Sequence, residues 1–266
     1  MFRLFRRYRS SVAKVATMAL PFSRPSTLPS GFTMSRCTPA DVQGMTEVYM
    51  DAFSDKEYTY WWGPVPAMWK WQEERIRRRF ADSSTQQFKV VDDANGTIVA
   101  WAKWDPPSQM VGLKEGFTLY DESGKPVDAS SGNKNAKEMR KEDEIEAHAL
   151  GPPEGSNVAL FKAFFDGVAG AEKKFQASEK LVLTHLCTRH NYHGRGIGSA
   201  LLRGVLDLAD KEGLCAYLEA TRLAVPAYES LGYKVVDKLE FDRTEAGFDI
   251  PSALHIMLRE PQTLEK

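Results

Sequence analysis

From residue 181 onward the spacing of apolar residues changes period several times. Leu181 to Thr188 is a run of β-forming residues and predicts a strand. Ile197 to Glu212 predicts an amphipathic helix: Leu201, Leu202, Val205, Leu208 and Ala209 fall on one face, and Gly213 supplies the stop. Leu214 to Ala220 predicts a second strand, Thr221 to Leu231 a short helix closed by Gly232, and Tyr233–Leu239 and Leu254–Leu258 two further strands.

The first half is less regular. Thr38-Pro39-Ala40-Asp41 has a helix-start pattern, with Thr38 as the cap and Pro39 at the first helical position. The helix that follows would bury Val42, Met45, Val48, Tyr49 and Phe53. Residues 53–71 are dense in aromatics, including Trp61, Trp62, Trp69 and Trp71, and suit either core packing or a surface for an acceptor with an apolar part. The basic run Arg75, Arg77, Arg78, Arg79 reads as a solvated helix face. Phe88–Val91 and Thr97–Trp104 flank Asn95-Gly96, which predicts a β-hairpin. Residues 105–154 are polar with weak periodicity and read as a loop-rich insertion, with a short surface helix between Lys137 and Glu146. A better helix starts near Ser156 and carries Phe161, Phe164, Phe165 and Val168. No internal repeat is present.

Composition narrows the class. The chain has 266 residues, 42% hydrophobic and 27% charged, at a net charge of −1. That suits a folded domain with a real core and gives no reason to expect a nucleic acid or a membrane as partner. No apolar run reaches the roughly 20 residues needed to span a bilayer. Cys37, Cys187 and Cys215 lack metal or disulfide spacing and read as free thiols in a reducing, intracellular compartment. Residues 1–36 hold six arginines and Lys14 but no acidic residue, which fits a mitochondrial transit peptide, a tail, or an extension upstream of a start at Met34. Segment 21–31 is rich in Pro and Ser and reads as a linker. The expected organisation is therefore an extension over 1–33 and a folded domain over 34–266, cytoplasmic or mitochondrial.

The chemistry concentrates in His193-Gly194-Arg195-Gly196-Ile197-Gly198-Ser199, between a predicted strand and a predicted helix. Glycines let the backbone turn several N–H groups into one hollow, and the helix N-terminus adds unpaired donors and positive potential. The result is a site for a pyrophosphate. It is not a dinucleotide fingerprint, because Leu201 stands where the third glycine of GxGxxG belongs. It is not a Walker loop, because the required lysine is missing.

These residues resemble the acyl-CoA-binding core of the GNAT N-acetyltransferases, whose loop runs Gln or Arg, two residues, Gly, one residue, then Gly or Ala. Here His193 takes the first place, a departure, and Gly196 and Gly198 take the others. Ala227-Tyr228-Glu229-Ser230-Leu231-Gly232-Tyr233 is similar to a further signature of that family. The likeness covers about residues 181–239, and the long polar insertion and the helix at 156–176 look like those of fungal GNAT-domain proteins of unassigned substrate. It implies a mixed α/β GNAT fold whose central sheet is splayed at the cofactor site and flanked by helices. It implies direct transfer of acetyl from acetyl-CoA to a small-molecule or peptide amine, without a metal. Leu186, Cys187 and Thr188 would pair with the pantetheine arm. His193, Gly194, Arg195, Gly196, Ile197, Gly198 and Ser199 would hold the pyrophosphate. Tyr228 would protonate the leaving thiolate, and the N–H of Leu186 or Cys187 would stabilise the oxyanion. The general base stays open among Thr184 through a water, His185, Glu146, His148 and Glu219. Two rival classes are a non-catalytic acyl-CoA-binding protein and a nucleotide-dependent oxidoreductase.

Overall fold

A computed structural model describes residues 19–54, 58–121, 123–127 and 150–262. In chain order the regular elements are β1 (Phe32–Arg36), α1 (Val42–Ala52), α2 (Val65–Arg78), β2 (Gln86–Asp92), β3 (Thr97–Asp105), β4 (Leu119–Tyr120) and β5 (Pro126–Val127). They continue with α3 (Val158–Lys174), β6 (Leu181–Thr188), α4 (Ile197–Lys211), β7 (Ala216–Thr221), α5 (Val225–Glu229), β8 (Lys234–Phe241) and β9 (Ser252–Arg259).

Seven strands form one sheet in the order β1-β2-β3-β6-β7-β9-β8, and β4 pairs with β5 apart from it. Every neighbour in the large sheet is antiparallel except β6 and β7, which the crossover through α4 makes parallel. Their pairing spans only Leu181↔Ala216 to Leu183↔Leu218. Beyond that point the two strands part and leave a wedge-shaped gap in the middle of the sheet. This is the mixed, splayed, helix-flanked GNAT architecture that the resemblance implied.

Helices cover both faces. On one face α4 and α5 bury Ile197, Leu201, Val205, Tyr228 and Leu231 against Leu181, Leu183 and Leu218. On the other, α1 and α2 pack Met45, Val48 and Ile76 near Trp101, while α3 packs Ala171 near Val182, Tyr217 and Ile256. The start of α1 follows its sequence signal: the Thr38 amide donates to Asp41 Oδ2 at 2.7 Å. Trp61 and Trp71 are buried among Phe161, Phe165 and Leu254, so these two tryptophans serve as core. Trp62 is only partly buried and stacks on Tyr49 at 5.9 Å.

Three expectations change. First, the boundary at 33/34 falls inside β1, and the Pro/Ser-rich segment is no free linker. Leu28 is buried and Phe22 meets Phe88 edge-on at 5.1 Å. The Phe22 ring also lies against Gly204 of α4, where an added Cβ would sit 2.4 Å from it. A few apolar side chains in a polar stretch suffice to dock it when a groove between α4 and β2 accepts them. Residues 1–18, which carry much of the transit-peptide reading, lie outside the described residues.

Second, the basic run is divided. Arg77 and Arg78 are exposed, while Arg75 and Arg79 are buried. Residues four apart share one helix face, and this face turns inward: the Arg75 guanidinium lies 4.5 Å from the Trp71 ring centroid and that of Arg79 6.0 Å from Trp101. Third, the start of the insertion is docked. Met110 and Leu113 are fully buried, and Arg36 donates to the carbonyl oxygens of Leu113 at 2.8 Å and Glu115 at 2.7 Å. The surface helix expected between Lys137 and Glu146 lies outside the described residues.

Candidate active site

The gap between β6 and β7 is shaped by a bulge. Across the β3–β6 pairing, Lys103 faces His185 and Trp104 faces Leu183, so Thr184 has no partner. The extra residue flips the alternation of side chains. Leu181, Leu183 and Leu186 therefore all share the face of α4, while Val182 and Cys187 point to the opposite face. Backbone polarity follows the same alternation. The Arg189 amide donates to the Val99 carbonyl at 2.9 Å. In an antiparallel ladder every second residue is turned the same way, so Cys187 and His185 direct their backbone groups to β3. Leu186 and Thr188 direct theirs into the gap.

Of the two oxyanion donors considered, only the Leu186 N–H is thus free to face the opening. Cys187 is turned away in both backbone and side chain. Its thiol is fully buried, and burial pushes its pKa well above the ordinary value, so it stays a neutral thiol.

At the end of β6 the chain makes a short turn over His190–Tyr192 and enters the glycine loop. Gly194 and Gly196 both adopt positive φ, at 73° and 77°. This left-handed geometry costs a side-chain-bearing residue about 1–2 kcal/mol, which explains the two glycines. The fold places Ile197 as the first residue of α4, buried, with Gly198 and Ser199 in the first turn. An added Cβ on Gly198 would meet Thr188 Oγ1 at 3.5 Å and Leu186 Cδ2 at 3.7 Å, so the helix start lies against the strand end. His193 Nε2 donates to the Thr188 carbonyl at 2.8 Å. Arg195 is exposed, stacks over Tyr192 at 4.7 Å and donates to the Asn191 carbonyl at 3.0 Å.

Tyr228 sits in α5 on the α4 face, buried, with Tyr233 edge-on at 5.9 Å. Burial first, and the nearby Cys187 second, push its pKa above the ordinary phenol value, so it keeps its proton. A donor that keeps its proton at neutral pH, next to the gap, is chemically suited to meet a departing thiolate.

The opposite face carries a polar cluster that no sequence motif marked. Thr184 donates to Asp105 Oδ2 at 2.6 Å, Lys103 pairs with the same oxygen at 2.6 Å, and Thr85 donates to Oδ1 at 2.7 Å. These bonds hold the Asp105 carboxyl below its usual range despite the opposing effect of burial, the largest single influence. Glu172 of α3 and Glu219 of β7 adjoin this cluster, and burial raises both carboxyls, Glu219 to about 8. Asp105, Lys103 and Glu172 belong to no motif. Glu172 did carry a signal: it falls at helical spacing from Phe161, Phe165 and Val168, a carboxylate on an apolar stripe.

The base candidates now separate. His185 is buried, stacked on Trp101 at 5.5 Å, and burial together with Arg79, Arg75 and Lys103 lowers its pKa far below the ordinary value. Thr184 is committed to Asp105. Glu146 and His148 lie outside the described residues. Among the described residues no group of three or more His, Cys, Asp or Glu is placed to hold a metal ion, and no helix is long and apolar enough to cross a membrane.

Comparison with known proteins agrees with this architecture. Residues 137–248 match the family model described as the acetyltransferase (GNAT) domain. No curated protein matches the chain. Among solved structures, a "histone acetyltransferase HPA2 and related acetyltransferase" from Corynebacterium glutamicum superposes with a TM-score of 0.51 at 20% identity, covering 89% of this chain and 99% of that one. The ribosomal-protein-S18-alanine N-acetyltransferase of Escherichia coli is 15% identical, covering 88% and 97%, with a TM-score of 0.45. The PaiA N-acetyltransferase of Thermoplasma acidophilum, solved in complex with coenzyme A, is 12% identical, covering 86% and 98%, with a TM-score of 0.43. Residues 137–248 are thus similar to a GNAT acetyltransferase domain, and the first of these solved structures shares the fold.

Proposed function

We propose that this GNAT-fold protein transfers the acetyl group of acetyl-CoA directly to an amine. The observation that carries the reading is the parting of β6 and β7 after Leu183 and Leu218, with a glycine loop and helix start at the end of the same strand. A gap with free backbone donors and acceptors suits an amide-bearing pantetheine arm. A helix N-terminus behind two left-handed glycines suits a pyrophosphate.

Each residue then has a role that its position supports. Leu186 and Thr188 offer backbone groups to the pantetheine arm. The loop from His193 to Ser199 receives the phosphates, chiefly through main-chain N–H groups. The Leu186 N–H faces the thioester oxygen. Tyr228 gives a proton to the departing sulfur. Cys187, a buried neutral thiol on the wrong face, takes no covalent part, so transfer is direct within a ternary complex.

The test is twofold. Calorimetry should detect acetyl-CoA binding to the full chain, and thiol release should depend on an added amine from a library of small amines and peptides. Binding without release in any mixture would point to a non-catalytic acyl-CoA-binding protein. Protection against thermal unfolding by NAD(P) and not by coenzyme A would refute the reading altogether.

A further inference from the structure

The strap of chain before β1, residues 21–31, belongs to no strand or helix, yet it is held along its length. Phe22 packs beside Phe88 and over Gly204 of α4. Pro25 and Leu28 are buried, and the Leu28 amide donates to the Pro25 carbonyl at 3.1 Å. The chain therefore turns through Ser26 and Thr27, which are exposed. Arg24 clamps this turn by donating to the carbonyls of Pro29 at 3.2 Å and Phe32 at 2.9 Å. Pro21, Pro25 and Pro29 each fix a backbone angle, which lowers the entropy lost when the strap docks.

The tip of the turn reaches the glycine loop. A Cβ added to Gly196 would lie 3.9 Å from the Thr27 carbonyl oxygen, which is van der Waals contact. Gly196 is the N-cap of α4 and holds a left-handed conformation. The strap thus meets α4 at Gly204 and again at the residue where the loop becomes helix. A loop with left-handed glycines has more backbone freedom to lose than other sequence. A contact that restrains it before a ligand arrives lowers the cost of binding.

We propose that the strap is a positioning element of the cofactor site. Docked, it holds Gly196 in the phosphate-receiving conformation, so strap docking and acetyl-CoA binding strengthen each other. Thr27 acts through Gly196, and Phe22, Pro25 and Leu28 anchor it. The proposal rests on the acetyl-CoA reading of the loop and adds to it a part of the chain that precedes the first strand.

Such coupling is reciprocal. The factor by which the docked strap tightens cofactor binding is also the factor by which bound cofactor opposes undocking.

Gly204→Ala separates the strap from the phosphates. Gly204 lies about 12 Å along α4 from Gly196, too far to touch an anion at the N-cap. Alanine forms helix better than glycine, but its methyl would take the place of the Phe22 ring. The variant should keep α4 and release the strap. Isothermal calorimetry should then show the acetyl-CoA dissociation constant raised about fivefold or more. Phe22→Ala should raise it to a similar extent. The double variant should lose no more, because the smaller side chain leaves room for the methyl.

The Leu28 amide reports docking directly, through its bond to Pro25. In the parent, saturating acetyl-CoA should slow its hydrogen exchange by a factor similar to the affinity ratio between the parent and Gly204→Ala. A Leu28 amide indifferent to saturating acetyl-CoA overturns the proposal and leaves the acetyltransferase reading standing. So does a Gly204→Ala protein whose Leu28 amide exchanges faster while its affinity stays parental. Failure of the parent to bind acetyl-CoA in calorimetry would instead overturn the acetyltransferase reading itself.

Discussion

The imidazole of His193 bonds to the carbonyl of Thr188 at 2.8 Å and so ties the glycine loop to the end of the strand it follows. A carbonyl can only accept, so Nε2 carries the proton, and the bond holds in the neutral and the charged ring alike. The loop is thereby positioned before any ligand arrives. His193→Ala should raise the acetyl-CoA dissociation constant several-fold while leaving the melting temperature within a degree or two, because the residue is exposed. His193→Gln, which can still donate, should restore most of the affinity. Isothermal calorimetry on the three proteins checks this, and equal affinities would show that the tie does not prepare the loop.

Gly198 offers the cleanest probe of the phosphate site. Gly196 would strain under any side chain at φ 77°, whereas Gly198 lies in ordinary helical geometry with room for a Cβ. An Asp in the first turn of a helix is favourable to the helix by about 0.3–1 kcal/mol and unfavourable to a bound anion. Gly198→Asp should therefore leave stability equal or slightly higher and weaken acetyl-CoA binding at least tenfold, or about 1.4 kcal/mol. Gly198→Ala is the steric control. Melting curves that improve while calorimetric affinity falls would identify the helix N-terminus as the anion site.

Tyr228→Phe keeps the ring against Tyr233 and removes only the hydroxyl. A proton donor to the leaving sulfur contributes about 10²-fold at the low end of general acid catalysis. The loss should appear in kcat, with acetyl-CoA affinity nearly constant. Pre-steady-state measurement of thiol release resolves whether chemistry limits the rate. A Phe variant with the parental rate of chemistry would make Tyr228 a core residue only.

The segment before β1 should behave as part of the domain. Phe22 fills the space above Gly204 and meets Phe88, and Leu28 is buried. Phe22→Ala should cost about 1–3 kcal/mol for this half-buried ring. Removal of residues 1–30 should cost more, seen as a lower urea midpoint. Truncation with no change in the urea transition would return this segment to the status of a linker.

Period and glycine placement determined much of this protein locally. The strand at Leu181–Thr188 and the helix from Ile197 stand where their patterns put them, and so does the hairpin around Asn95-Gly96, because strand, helix and tight turn each depend on residues a few positions apart. The glycine loop was legible for the same reason: positive φ is a property of a single residue. What the sequence could not decide depends on which elements lie across from one another. The bulge at Thr184 exists only against Lys103 and Trp104 of β3, and it alone turns Leu186 toward the gap and Cys187 away from it. Arg75 and Arg79 look like half of a solvated run until Trp71 and Trp101 are found over them. Glu172 and Glu219 come from a helix and a strand with β6 and α4 between them in the chain, and only the packing of α3 on β7 makes them one electrostatic unit. Local periodicity fixes which face of each element is apolar. Burial, charge coupling and strand parity are set by the partner that covers that face, and the partner is chosen by the tertiary fold.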